Sequence, residues 1–332
     1  MKTFRYERPD SVATAVAGVA AHPGAAFLGA GTSLVDLMKL HVEEPTLLVD
    51  VTSLSLDRIG TARDGGLVIG ATVRNSDLAT DPRVRAEYPL LAEAVLSGAS
   101  AQIRNVATVG GNLLQRTRCP YYRDVTKPCN RRSAGSGCPA LESRLPHSPH
   151  LAVLGASPAC AAVHPSDLAV ALTALDALIE VTGPHGTRTV PITSLYRPPG
   201  DAPPDDTVLA RADMITAVRL PAATAAWPCA YRKARDRASF AFGTASVAAA
   251  LRMTGDHIVD VKLAFGAVAP VPWRARHAER ALTGRRPVGH VLRQAVDAEL
   301  VHARPLHGNA FKVDLLRNMT VSLLSELAGR AA

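Results

Sequence analysis

Four of the five cysteines in this 332-residue chain fall within one short tract, at Cys119, Cys129, Cys138 and Cys160. Their spacing is C-x9-C-x8-C-x21-C, without the tight pairs of structural zinc sites or the closely spaced run of bacterial ferredoxins. Four thiolates could ligate a metal centre. The spacing alone equally allows two disulfides or incidental thiols.

Basic residues surround the cysteines and favour a metal centre. Between residues 116 and 144 there are seven of them, opposed by Asp124 and Glu142. They are Arg116, Arg118, Arg123, Lys127, Arg131, Arg132 and Arg144. Positive charge stabilises thiolates and offsets the negative charge of a thiolate-ligated iron–sulfur centre. The tract could also contact nucleic acid, but only Tyr121 and Tyr122 offer rings for base stacking, so an acidic protein partner is favoured over nucleic acid.

Two glycine turns could bind phosphate. Gly29-Ala30-Gly31-Thr32-Ser33 lies between a predicted strand and a predicted helix, where unpaired backbone N–H groups and the helix dipole attract anions. Leu34 stands where a dinucleotide fingerprint has its third glycine, and no P-loop lysine follows, so a plain tight turn remains an alternative. Thr108-Val109-Gly110-Gly111-Asn112 is a second such turn. Two turns in one domain would suit a ligand with a pyrophosphate chain.

The composition limits the class of protein. The chain is 47% apolar and 20% charged with a formal net charge of +8, which excludes a disordered protein. Its length predicts about two domains.

No stretch approaches the ~18 apolar residues of a membrane span. The charged start lacks the apolar segment of a signal peptide, so we expect no signal in this chain. No H-E-x-x-H or G-x-S-x-G motif is present, which favours redox relay over hydrolysis.

Hydrophobic periodicity predicts the elements that position these groups. A helix follows the first glycine turn, a capped helix starts near Asp167, and a hairpin covers residues 177–192. Strands are predicted at 46–51, 214–220, 246–252 and 257–265, and helices at 280–283, 291–300 and 311–327. Residues 115–160 have no sustained period and form a predicted long loop that something must hold in order. We place a domain boundary near residue 222, in the run Ala-Ala-Thr-Ala-Ala.

Together these segments resemble a known family. They are AFLGAGTSLVDLMK, IRNVATVGGNLLQRTRCPYYRD, CNRR, GSGCPALE, GASPACAAVHPSDLAVALTALDA and AYRKARDRASFAFGTASVAAAL. Nearly the whole chain resembles the FAD-binding (medium) subunit of the xanthine dehydrogenase/molybdenum hydroxylase family. The four-cysteine tract most resembles the FAD subunit of bacterial periplasmic-type aldehyde oxidoreductases, which carries a [4Fe-4S] cluster.

The resemblance implies an α+β fold. Residues 1–222 would form a vanillyl-alcohol-oxidase/PCMH-type FAD-binding domain of two subdomains, with a [4Fe-4S] loop at 115–160. Residues 223–332 would form a small C-terminal α/β domain of the CO dehydrogenase flavoprotein type.

The resemblance also implies the cofactor-binding residues. The run that would cradle the FAD pyrophosphate is Ala26, Phe27, Leu28, Gly29, Ala30, Gly31, Thr32, Ser33 and Leu34, and the second phosphate loop is Thr108, Gly110, Gly111 and Asn112. Asp167 would bond the FAD tail, Ile215 would pack near the isoalloxazine, and Lys233 or its neighbour Arg232 would contact the ring edge. Cys119, Cys129, Cys138 and Cys160 would hold the cluster, leaving Cys229 as a plain thiol.

The implied activity is electron transfer in a heterotrimer with a molybdopterin-binding large subunit and a [2Fe-2S] small subunit. Aldehyde would be oxidised to carboxylic acid on the large subunit, and electrons would reach FAD and an external acceptor through iron–sulfur centres. A related molybdenum hydroxylase acting on an N-heterocycle or an aromatic acyl-CoA is the alternative within the family. A zinc-stabilised binding module and a flavin enzyme without partners are the alternatives outside it. We expect a bacterial protein, periplasmic if co-exported with a partner carrying a twin-arginine signal and otherwise cytoplasmic.

Overall fold

The structure is a computed structural model that describes residues 1–142, 148–200, 205–222 and 227–331. Most of the predicted boundary segment 222–226 lies outside these residues, as does Arg144 of the basic tract. No helix in the described ranges is long and apolar enough to cross a membrane.

The amino-terminal half contains short strands and helices. They are β1 (Arg5–Glu7), α1 (Val12–Ala21), β2 (Ala25–Leu28), α2 (Leu34–Lys39), β3 (Leu47–Asp50), β4 (Ile59–Thr61), β5 (Leu67–Gly70), α3 (Asn75–Thr80), α4 (Pro82–Glu87), α5 (Pro89–Ser97), α6 (Ala101–Arg104), α7 (Val109–Leu113), α8 (Pro120–Arg123) and α9 (Pro139–Glu142).

The second half has longer elements after a 3-10 turn at Ser148–His150. They are α10 (Asp167–Ala174), β6 (Leu178–Gly183), β7 (Gly186–Pro191), α11 (Ile192–Leu195), β8 (Met214–Leu220), β9 (Cys229–Ala234), β10 (Ala245–Thr254), β11 (His257–Gly266), β12 (Trp273–Arg274), α12 (Arg276–Leu282), α13 (Gly289–Leu300) and α14 (Phe311–Ala331).

A small parallel sheet of order β1-β3-β2 begins the fold and carries the first glycine turn at its edge. Helix α1 covers it with Ala15, Val16 and Val19, after Ser11 caps the helix by accepting the N–H of Thr14 at 3.1 Å. All four residues of β3 are buried, as expected for a central parallel strand. This sheet therefore fixes where β2 ends and the turn begins.

A five-stranded antiparallel sheet of order β4-β5-β8-β6-β7 forms the second layer. Helices α3, α5 and α10 pack on one another and belong to the same apolar core as this sheet. The second glycine turn starts α7 beside this core, because the N–H groups of Val109 and Gly110 bond the carbonyls of Val73 and Ala71 at 2.9 and 2.8 Å.

The carboxyl-terminal part is a four-stranded antiparallel sheet of order β12-β11-β10-β9 with helices α12, α13 and α14. Helix α14 lies against β10, and its buried residues include Leu316, Leu323, Leu324 and Leu327. Spacings of three, four and seven residues among these leucines place their side chains on one face of the helix.

Within its described residues, 115–142 and 148–160, the predicted long loop has no long element. It holds two four-residue helices, α8 and α9, each opened by a proline. Small apolar clusters pack under it, one formed by Tyr121, Ala140, Leu151 and Ala161, and another by Leu37, Tyr122 and Cys129.

Candidate functional site

The first glycine turn joins β2 to α2 and needs glycine at residue 31. Gly31 has φ of +75°, in the left-handed region that favours glycine. A Cβ at this position would also lie 2.8 Å from Cγ2 of Val35 on the next helical turn. The turn therefore presents bare backbone at the start of the helix.

The second glycine turn packs directly against the first. Thr108 caps α7 by accepting the N–H of Gly111 at 3.2 Å. A Cβ added to Gly29 would lie 2.9 Å from Oγ1 of Thr108, and one added to Gly110 would lie 3.3 Å from the carbonyl of Ala71. The absence of side chains thus allows the two backbone turns to meet.

Two large cavities meet at these turns, and they share only Thr32, Ser33 and Gly111 among their described lining residues. The first cavity, of about 270 Å³, runs from Phe27 to Ile215. The second cavity, of about 590 Å³, reaches Lys233. Small-molecule sites typically measure roughly 300–1,000 Å³, so the two cavities together suit one long ligand bound across the turns.

Nearly all the predicted cofactor residues line one of these two cavities. The first cavity is lined by Ala26, Phe27, Gly29, Ala30, Gly31, Thr32, Ser33, Leu34, Thr108, Gly110, Gly111 and Ile215. The second is lined by the three shared residues and by Asn112, Asp167 and Lys233. Leu28 lines neither cavity. Ile215 and Lys233, both predicted beside the isoalloxazine, lie in different cavities.

A buried ion pair lies in the second cavity. Nζ of Lys233 contacts Oδ2 of Asp167 at 2.8 Å and the carbonyl of Ser97 at 3.1 Å, and its side chain is 3% exposed. The hydroxyl of Tyr231 donates to Oδ1 of the same aspartate at 2.6 Å. Burial, with the neighbouring carboxylate of Asp167, raises the pKa of Tyr231 well above its usual value. These contacts orient Asp167, whereas Arg232 points to Ser322 and Glu326 on α14.

Two buried oxygen atoms lining the cavities lack partners among the described residues. They are Oγ1 of Thr72 in the first cavity and Oδ1 of Asn75 in the second. Buried polar atoms are normally hydrogen-bonded, so each of these oxygens keeps an unused capacity to accept a hydrogen bond. Sequence reasoning did not single out either residue, because nothing in the chain near Thr72 or Asn75 indicates which surface it faces.

The four clustered cysteines line a third, small cavity, hereafter the cysteine cavity. Its walls also include Tyr122, Asn130 and Arg131. Cys129 and Cys160 are buried, and Cys119 and Cys138 are partly exposed. All four are free thiols, so the disulfide alternative is not realised. Cys229 lies elsewhere, on β9.

Cys119 and Cys138 share a Cys-Pro pattern that could have been noticed in the sequence. Each directly precedes a proline that opens a four-residue helix, and prolines are favoured at that position. Backbone N–H groups of the helix donate to each sulfur, from Tyr121 and Tyr122 to Cys119 and from Ala140 and Leu141 to Cys138. Burial nevertheless raises the pKa of Cys119 to about 12 and that of Cys138 above its usual value. Both sulfurs are protonated thiols near pH 7 unless a cation draws the proton off.

Asn130 ties three of the cysteine segments together. Its Nδ2 donates to the carbonyl of Ala159, next to Cys160, at 3.0 Å. Its Oδ1 accepts the N–H of Gly137, next to Cys138, at 2.8 Å. Because Asn130 itself follows Cys129, one side chain sets the relative positions of three cysteines.

No group of three or more His, Cys, Asp or Glu side chains within the described ranges is arranged to hold a metal ion. The four cysteines line one cavity, but their side chains are not arranged around a metal-ion position. The geometry thus brings together every predicted sulfur ligand and does not by itself give a metal site.

Polar side chains form the wall between the cysteine cavity and the first cavity. Tyr122 lines the cysteine cavity, and its hydroxyl donates to Oε1 of Glu43 at 3.1 Å. Glu43 lines the first cavity and pairs with Nη1 of Arg116 at 3.0 Å. The guanidinium of Arg116 in turn lies over the Tyr122 ring, 5.2 Å from its centroid. One layer of side chains therefore separates the two cavities.

Known proteins share this sequence and architecture. Residues 2–223 match the family described as the FAD binding domain in molybdopterin dehydrogenase, and residues 229–327 match the CO dehydrogenase flavoprotein C-terminal domain. The chain is 46% identical over 333 residues to the aldehyde oxidoreductase FAD-binding subunit PaoB of Escherichia coli strain K12, covering 100% of both. It is 27% identical over 335 residues to the carbon monoxide dehydrogenase medium chain of Hydrogenophaga pseudoflava, covering 99% and 98%.

A solved structure shows the same fold. It is carbon monoxide dehydrogenase from Hydrogenophaga pseudoflava in a form that lacks the Mo-pyranopterin moiety of its cofactor, with a TM-score of 0.78 at 27% identity over 100% of this chain and 99% of that one. These matches confirm the predicted family and fold class. The predicted domain boundary stays a prediction. The chain belongs to the FAD-binding medium subunits of the molybdenum hydroxylase family, a family of oxidoreductases.

Proposed function

We propose that this chain is the FAD- and [4Fe-4S]-containing electron-transfer subunit of a molybdenum-dependent aldehyde oxidoreductase. It would act in a heterotrimer with a molybdopterin-binding large subunit and a [2Fe-2S] small subunit. The observation that carries the proposal is the four-cysteine cavity one layer of side chains away from the first cavity. The 46% identity to a subunit named for aldehyde oxidoreductase supports the reaction class.

The FAD pyrophosphate would lie at the residues shared by the two cavities. Thr32 and Ser33 of the first glycine turn line that space at the positive end of helix α2. Gly111 of the second turn lines it too, while the N–H groups from Val109 to Gly111 already bond Val73, Ala71 and Thr108. When bound, FAD supplies reversible two-electron chemistry that links one-electron donors to an external acceptor.

The isoalloxazine would occupy the first cavity and the adenosine the second. The first cavity adjoins the cysteine cavity and offers apolar contacts from Phe27, Leu56 and Ile215. The Asp167–Lys233 pair gives the second cavity fixed polar groups for the adenosine. In this arrangement Ile215 keeps its predicted place beside the isoalloxazine and Asp167 its predicted bond to the FAD tail, whereas Lys233 lies on the adenosine side.

The four cysteines would hold a [4Fe-4S] cluster. A single metal ion draws its thiolates close together, as in zinc sites with metal–sulfur distances of about 2.3 Å. A cluster of iron and sulfide atoms places its four thiolates farther apart around a small volume. We assign the second arrangement to this site, where the four cysteines share a cavity and where N–H groups and the adjacent Arg131 would stabilise the negative charge of a thiolate-ligated cluster. When bound, the cluster supplies one-electron transfer.

In this function no residue of the chain acts as a general acid or base on the substrate. Its residues bind and orient the flavin, exclude water from the cysteines and set the charge around both groups. Substrate oxidation would take place on the large subunit. The basic residues of the cysteine loop that form ion pairs within this chain, such as Arg118 and Arg123 with Asp36, order the loop rather than await an acidic ligand.

The test is to purify the chain together with a molybdopterin-binding large subunit and a [2Fe-2S] small subunit and to measure flavin, iron and molybdenum per complex. We expect one FAD per complex, and four iron atoms in addition to those of the [2Fe-2S] centres. Addition of an aldehyde should bleach the flavin absorbance. A complex with zinc in place of iron, or without flavin, would contradict the proposal. Bleaching by an N-heterocycle or an aromatic acyl-CoA, and not by aldehydes, would keep the cofactors and change the substrate class.

A further inference from the structure

Arg131 is a buried arginine directed at one of the four cysteines. Its side chain is 5% exposed, and Nη2 lies 3.6 Å from Sγ of Cys160. The backbone N–H of Ala162 donates to the same sulfur at 3.4 Å. Cys119 and Cys138 receive backbone N–H groups from their own helices, so the guanidinium distinguishes the surroundings of Cys160.

Asp206 fixes the other side of that guanidinium. It pairs with Nη1 of Arg131 and, through Oδ2, with Nε of Arg116 at 2.6 Å. Arg116 also pairs with Glu43, so two arginines and two carboxylates form one balanced network. Because a guanidinium has a rigid, planar fork of donors, holding one edge against Asp206 aims the other edge at the sulfur.

We propose that Arg131, positioned by Asp206, donates to the thiolate of Cys160 and raises the reduction potential of the cluster held there. The inference rests on the proposed [4Fe-4S] site. The cluster gains one electron and one unit of negative charge when it is reduced. A charged donor to a ligand sulfur stabilises that electron-rich state more than the oxidised state.

The test compares R131M with R123M in the complex purified without oxygen. Arg123 is a matched control because it lies in the same loop and pairs with Asp36 rather than with a cysteine. A potentiometric titration, followed by electron paramagnetic resonance near liquid-helium temperature, gives the midpoint potential of the four-iron centre. We expect R131M to lower the midpoint potential by at least about 59 mV, which is a tenfold change in the equilibrium constant for one-electron reduction. We expect R123M to change the midpoint potential by less. Equal potentials for R131M and R123M would overturn the inference.

A second variant covers the case in which R131M fails to retain iron. R131K keeps a positive charge, but its compact ammonium cannot fork between Asp206 and Cys160. We expect a potential below that of the unmodified complex, and an unchanged potential would overturn the inference. A four-iron signal that is absent from the unmodified complex would refute the proposed function, and the inference with it. A signal that is present but insensitive to Arg131 would refute the inference alone.

Discussion

At the scale of single residues, backbone conformation restricts which residue can stand at position 31, and burial disfavours the charged form of His164. Gly31 combines a positive φ with a close neighbour, and both oppose any side chain. His164 is buried beside Tyr196, with ring centroids 4.4 Å apart, and its Nδ1 accepts the N–H of Ser166 at 3.4 Å. The first restriction predicts an effect on flavin affinity, and the second predicts an effect of pH on the free energy of unfolding.

The variant G31A should lose flavin. An alanine at φ of +75° costs roughly 1–2 kcal/mol, and its Cβ would press on Val35 at 2.8 Å, so the turn must shift at the pyrophosphate. We expect at least a tenfold rise in the FAD dissociation constant, measured by flavin fluorescence after cofactor removal. G60A is the control, because a Cβ added to Gly60 would meet no atom within 4 Å and this glycine lacks a positive φ. Equal affinities of the two variants would contradict this role of Gly31.

His164 should make folding sensitive to acid. Burial, with the charge of Arg131, lowers the pKa of His164 to about 3, against about 6.5 in an unfolded chain. As pH falls below 6.5 the unfolded state binds a proton that the folded state does not, so the free energy of unfolding falls. Between pH 7.5 and pH 5 this amounts to about 2 kcal/mol. H164N, which keeps an acceptor but cannot titrate, should lack that contribution in urea unfolding, and an unchanged pH dependence would contradict it.

At the scale of elements, the sequence predicts regular structure well and the cysteine loop poorly. The predicted strand 214–220 has the same bounds as β8, and helix α14 starts at the predicted Phe311, because buried faces leave clear periods. Loop 115–160 is ordered instead by contacts between distant residues, such as Arg131 with Asp206. The cysteines and glycines of the site were predictable by type. Asn75, Asn130 and Asp206 were not, because their roles depend on partners remote in sequence.

Asn130 should be required for the cysteine cavity to hold iron. N130A removes the bonds to Gly137 and Ala159 and leaves the ligand segments free to separate. We expect at least half of the cluster iron to be lost while FAD is retained, measured by iron and flavin analysis of the purified complex. In D124A, the control, the lost side chain is one that accepts hydrogen bonds from Thr126, two residues away. A full iron content in N130A would show that the asparagine does not organise the ligands.

At the scale of the whole molecule, the carboxyl-terminal part clamps the end of the cysteine loop. Nζ of Lys312 on α14 donates to the carbonyls of Leu151 and Ala267 at 2.8 and 2.7 Å. Nδ2 of Asn309 contacts the carbonyls of Leu151 and Ala152 at 3.4 Å. The segment that leads to Cys160 is therefore positioned in part by residues of the second matched domain.

Lys312 should give the folded protein a dependence on alkaline pH. Burial lowers the pKa of Lys312 to about 7, against about 10.5 when unfolded. Between these values the unfolded state binds the extra proton, so the free energy of unfolding rises with pH, by about 2 kcal/mol from pH 7 to pH 9. K312M should lose this rise whatever its stability at pH 7. Parallel pH profiles of the two proteins in urea unfolding would contradict the assignment.

The central claim is that one chain holds both a flavin and a four-iron cluster, and the most direct measurement is spectroscopy of the reduced complex with and without one ligand. Mössbauer and low-temperature electron paramagnetic resonance spectra of the unmodified complex should contain a fast-relaxing four-iron signal. C160S should lose that signal and keep its FAD and two-iron centres, whereas C229S, altered at the cysteine on β9, should keep all three. A four-iron signal that is missing from the unmodified complex, or that persists in C160S, would contradict the account.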